Sequence, residues 1–130
     1  MDPLHIQRLL AFVFISLGSW ALLFPSHVLE IGIRPEFNTE APVTTVIMGC
    51  FGAQAVLGGL VMALSRFTAQ TFLVVGIVGS LPFFVFNYYF VFVVEMFTNW
   101  MLLDFVGNIA IFALCMLGYL GLKKRGTQTT

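Results

Sequence analysis

Residues 100–122 read WMLLDFVGNIAIFALCMLGYLGL, an apolar run with a single charge, Asp104, near its start and Asn108 one helical turn beyond it. About 20 consecutive apolar residues cross the hydrocarbon of a bilayer as a helix, so this run is long enough to span. A lone carboxylate at membrane depth costs roughly 2.5 kcal/mol or more, and it requires a partner, a proton or a water-filled pocket. Asp104 therefore points to the class of the protein and is the first lead to its function.

Three more runs lie upstream, and together the four read as spans at residues 9–24, 43–65, 69–94 and 100–122. Composition agrees. Only 9% of the 130 residues are charged and 59% are hydrophobic, where soluble domains carry about 25% charged residues. The mean hydropathy is +0.98. Hydrocarbon offers no water to backbone groups, so each run is expected to be helical. A membrane β-barrel would alternate apolar and polar residues in segments of about ten, and no such alternation is present. The expected fold is all-α: one domain over residues 1–130, a polytopic membrane protein built as a four-transmembrane-helix antiparallel bundle.

The formal net charge is zero, yet the charges are segregated. Arg8 precedes the first span, Arg66 joins the second to the third, and Lys123, Lys124 and Arg125 follow the fourth. The other two connections hold Glu30, Glu36, Glu40 and Glu95, with Arg34 as the one opposing base. Four spans put both termini and the Arg66 turn on one side, which the positive-inside bias makes cytoplasmic. The basic tail is read as a determinant of topology rather than as a lipid site. Ser19-Trp20-Ala21 has the small-x-small pattern of a signal cleavage site. Leu22-Leu23-Phe24 nevertheless prolongs the apolar run to Pro25, and the expectation is a retained first span.

Between the first two spans, His27, Glu30 and Arg34 recur at helical spacing among Val28, Leu29, Ile31 and Ile33. This predicts a short amphipathic helix over 26–34, lying in the outer interface and ended by Pro35. His27 and Glu30 alone are too few for a metal site, so no metal or cofactor is expected. The Arg66 turn is short and predicts antiparallel packing of the second and third spans against each other. Cys50 and Cys115 fall at different depths and are read as small core residues rather than a disulfide. Trp20, Tyr88, Tyr89 and Trp100 read as interface aromatics.

Within the spans, small and polar residues align. Asp104, Asn108, Ile111, Cys115 and Gly118 share one face of the fourth helix, and Gly76, Ser80, Phe83 and Asn87 one face of the third. On the second, Cys50, Gln54, Gly58 and Val61 form one stripe, while Gly52, Ala55, Gly59 and Ala63 form another that points elsewhere. Membrane helices turn such faces toward one another for close packing and hydrogen bonding. Depth predicts two polar layers, Asn87 with Asp104 and Gln54 with Asn108. Pro82 should free the carbonyl of Val78 and kink the third helix beside the cluster.

The candidate ligand-binding residues are thus Asp104, Asn108, Asn87 and Gln54, with no catalytic set. No Gly-rich phosphate loop, H-E-x-x-H, G-x-S-x-G or C-x-x-C motif occurs, and both histidines lie outside the spans. No basic stretch suggests nucleic acid. The leading expectation is a non-catalytic accessory subunit or scaffold that packs in the bilayer against a membrane-protein partner or another copy of itself. The alternative is a small carrier or binding protein for a proton-coupled or lipid-like ligand, held in an outward-facing polar pocket centred on Asp104.

Overall fold

The computed structural model describes residues 2–39 and 41–127. Glu40, counted above among the acidic loop residues, lies outside them. The chain forms α1 (Pro3–Leu23), α2 (Pro25–Gly32), α3 (Pro42–Leu64), α4 (Ala69–Tyr88) and α5 (Met101–Thr127), with a π-helical turn, Tyr89–Val93, continuing α4. Four of these are long and apolar enough to cross a membrane. Among the described residues the only extended pairing is an antiparallel bridge between Ile33 and Phe97.

The helix starts follow local chemistry. Pro3, Pro25 and Pro42 open α1, α2 and α3, where the missing N–H costs nothing and the fixed φ suits a first turn. Thr68 caps α4, its hydroxyl accepting from the Thr71 N–H at 3.1 Å while its own N–H donates back to the Thr71 hydroxyl. The first span begins at Pro3 rather than at residue 9, because Gln7 is hydrogen-bonded inside the bundle and does not end the apolar segment. The interfacial helix stops at Gly32, so Arg34 lies beyond it and not on its polar face.

The order of packing differs from the order of the chain. α1 packs chiefly against α3, α4 against α5, and α1 also touches α5, so the sequence around the bundle is α3, α1, α5, α4. The expected close pairing of α3 with α4 is not formed. Phe51 and Phe83 meet across that seam with ring centroids 6.4 Å apart, but below them it opens into a cleft of about 450 Å³.

Glycine explains the preference of α3 for α1. A methyl group on Gly52 would stand 2.7 Å from the Gly18 carbonyl oxygen, and one on Gly59 2.9 Å from the Ile15 nitrogen. The Gly52, Ala55, Gly59 ridge thus receives α1 in near backbone-to-backbone contact, the arrangement that small residues permit between membrane helices. Ala63, at the end of the same ridge, is exposed on a second cleft. The α4–α5 seam repeats the device. Gly76 faces Cys115, and Gly118 makes room for the Phe72 ring. Ile6, Leu10, Phe72 and Cys115 are fully buried where α1, α4 and α5 converge.

The two ends of the bundle are tied differently. At one end Arg125 reaches Asp2 at 3.2 Å, which brings the beginning of α1 beside the end of α5. At the other, the Arg34 guanidinium pairs with Glu95 at 3.2 Å and donates to the Phe97 carbonyl, while the Arg34 N–H donates to Met96. Thr98 closes the clasp through its N–H to Gly32 and its hydroxyl to Ile31. Glu95 holds φ at 54°, the left-handed turn that swings the chain back toward α5.

Gly52→Leu overpacks the α1–α3 crossing and should destabilise the protein by about 1–3 kcal/mol in detergent unfolding. Gly49→Leu, three residues away on the same helix with no atom within 4 Å of the added carbon, should leave stability unchanged or slightly raised.

Candidate functional site

Asp104 lies in the first turn of α5, where the helix dipole favours a negative charge. Its carboxylate Oδ2 accepts two carboxamide N–H groups, from Asn87 of α4 at 2.8 Å and from Asn108 at 3.0 Å. Asn108 also donates to the Asp104 backbone carbonyl at 2.8 Å. Asn87 is 2% exposed and Asn108 6%, while Asp104 is half-buried. The expected Asn87–Asp104 layer is therefore in place, and it links α4 to α5. Hydrogen bonds to a carboxylate are shorter and stronger than those between neutral groups, so two amide donors on one oxygen hold this side chain firmly.

The expected second layer is not formed. Gln54 lies exposed on α3, away from α5, and lines the cleft at the α3–α4 seam with Gly58 and Val61. The tight α1–α3 crossing turns the other face of α3 inward and leaves the Cys50, Gln54, Gly58 stripe outward. A methyl group on Gly58 would meet nothing within 4 Å. Asp104 does not line either of these two clefts.

Two buried polar atoms near this seam lack a partner among the described residues, Asn87 Oδ1 and Ser80 Oγ. Ser80 is fully buried on the face of α4 that meets α5. Pro82 follows it inside the helix and withdraws a donor from the carbonyl of Val78. The π-helical turn, Tyr89–Val93, begins two residues after Asn87, with the Val94 N–H reaching the Tyr89 carbonyl at 2.9 Å. Such turns interrupt the regular helical ladder and recur at functional positions.

Gln7 is a polar anchor that the reading of spans passed over, because the first span was started after Arg8. Only 4% of it is exposed. Its amide donates to the carbonyls of Met62 and Ser65, and its oxygen accepts from the Phe67 N–H at 3.1 Å. It satisfies the end of α3 and fixes the turn into α4. The signal was present, since Pro3 followed by Leu4, Ile6, Leu9 and Leu10 is the pattern of a helix that starts at residue 3. His27, the possible metal ligand of the loop, instead accepts from the Trp20 indole at 3.3 Å. Both cysteines are free thiols.

No protein-family model, curated protein or solved structure matches the chain.

The unpartnered Ser80 hydroxyl and the paired Asn87 amide give opposite expectations. Ser80→Ala removes a hydroxyl that gains nothing in the seam and should be neutral or stabilising. A double-mutant cycle on Asn87→Ala and Asp104→Ala should show favourable coupling of about 0.6–1.7 kcal/mol, the range of interhelical hydrogen bonds in membranes. Reversible unfolding in mixed micelles measures both.

Proposed function

We propose that this chain is a small, non-catalytic membrane subunit that holds a helix of a partner membrane protein in the α3–α4 seam. One observation carries the reading: Gln54 is exposed at span depth with no hydrogen bond among the described residues, beside Gly58, on the wall of an open cleft. A carboxamide in hydrocarbon needs a donor and an acceptor from another helix, and a glycine with free space above it admits one closely. Asp104, by contrast, has its hydrogen bonds within the α4–α5 seam. Its role in this reading is to set the register of that pair. The termini and the Arg66 turn face the cytoplasm, because Arg8, Arg66, Lys123, Lys124 and Arg125 gather at that end.

Native mass spectrometry of the protein in mild detergent tests the proposal. The wild type should carry a second membrane polypeptide at fixed stoichiometry. Gly58→Leu, which fills the seam, should release it, and Asp104→Asn should retain it. A wild-type protein that flies alone or with lipid only contradicts the subunit reading.

A second reading rests on Asn87 Oδ1, the buried acceptor beside the carboxylate. A proton on Asp104 would satisfy that acceptor and remove the charge in the seam together, and an N–H or O–H donor on a ligand would satisfy the acceptor. This is the site a proton-coupled or lipid-like ligand would use. Infrared difference spectroscopy should then show a carboxyl C=O band that changes with pH or ligand and is lost in Asp104→Asn. A spectrum without that band removes this reading.

A further inference from the structure

At the basic end of the bundle a cleft of about 490 Å³ lies between the start of α1, the α3–α4 turn and the end of α5. Arg8, Arg66 and Arg125 line it, from three separate parts of the chain, with Asp2 as the one acid. Asp2 is engaged by Arg125 at 3.2 Å. Arg8 and Arg66 are exposed and make no hydrogen bond or ion pair among the described residues. Gln7 sits in the lining with its amide spent on Met62, Ser65 and Phe67, so it is rigid wall rather than a free ligand group.

We infer that this cleft binds a phosphate-bearing anion, supplied by the headgroup of an anionic phospholipid. The guanidinium is a planar fork that matches phosphate oxygens two at a time, and two of the three here have no competing carboxylate. The cleft lies at the ends of the spans, the depth at which headgroups sit. Leu64, Phe72 and Leu122 continue its lining on the apolar side. Basic rim and apolar wall together fit an amphiphile, where a soluble anion would use the rim alone. Basic pockets between membrane helices recognise headgroups through the same combination of charge and depth. The cleft shares Ser65 and Phe67 with the α3–α4 seam, but its three arginines lie outside that seam, and the inference holds whether or not a partner helix occupies it.

Native mass spectrometry of the delipidated full chain, titrated with phosphatidylglycerol, phosphatidylcholine or inorganic phosphate, tests it. One phosphatidylglycerol should bind in preference to phosphatidylcholine. Arg8→Gln with Arg66→Gln should weaken it about thirtyfold, at about a tenfold loss per 1.4 kcal/mol and about 1 kcal/mol for each basic residue. Lys123→Gln with Lys124→Gln removes the same charge outside the cleft and should leave binding unchanged. Should the first double variant not fold, Arg8→Lys with Arg66→Lys keeps the charge, loses the fork, and should still weaken binding several-fold. Inorganic phosphate binding as tightly, with no lipid retained, would overturn the headgroup as the source. Equal losses in the glutamine variants of arginine and lysine would overturn the site itself, because diffuse charge would then account for the binding.

Discussion

The near-contact of backbones where α1 crosses α3, at Gly18, Gly52 and Gly59, is the constraint from which the rest of the arrangement follows. Between helices in a bilayer no hydrophobic force acts, and van der Waals contact and hydrogen bonding decide which faces meet; four helices here are long and apolar enough to cross one. A face made of glycine and alanine offers the closest contact, and α3 turns it to α1. That choice places α1 in the middle of the bundle, against α3 on one side and α5 on the other. The opposite face of α3, with Cys50, Gln54 and Gly58, is left outward, and the seam with α4 stays open.

The polar residues then settle where backbone or charge needs them. Gln7 satisfies carbonyls where α3 ends, Asp104 is held between two carboxamides where α5 begins, and the clasp of Arg34, Glu95 and Thr98 joins the two opposite loops. Each of these links parts distant in sequence. Together they secure at its two ends a bundle whose middle is held by small residues. Intramembrane polar pairs contribute modestly to stability, about 0.6 kcal/mol on average, so their larger effect is to specify register.

Much of this was legible in the residues. Apolar runs identified the four helices that are long and apolar enough to cross a membrane, the Asn87–Asp104 layer followed from matching positions on adjacent helices, and the Gly52 ridge was separable from the Gln54 stripe by helical angle. What the pattern lacked was the neighbour of each face. A stripe of small and polar residues looks the same whether it meets a helix of its own chain or points outward. Gln54 was therefore paired with Asn108 by depth alone, although α3 packs chiefly against α1 and not against α5. Gln7 was missed for a different reason. Hydropathy ends a span at the first polar residues, whereas an amide that caps carbonyls extends the buried helix past them. Arg34 broke the charge asymmetry until its partner Glu95 came from a loop sixty residues away.

What covers the outward face of α3 decides between a partner helix and lipid. A photoreactive amino acid in place of Gln54, irradiated in native membranes, reports that directly, with Val106 on the exposed side of α5 as the control position. A single protein adduct of defined mass is expected from position 54 and lipid adducts alone from position 106. Lipid adducts alone from both positions would contradict the partner helix, and would make the α3–α4 seam a lipid-filled groove.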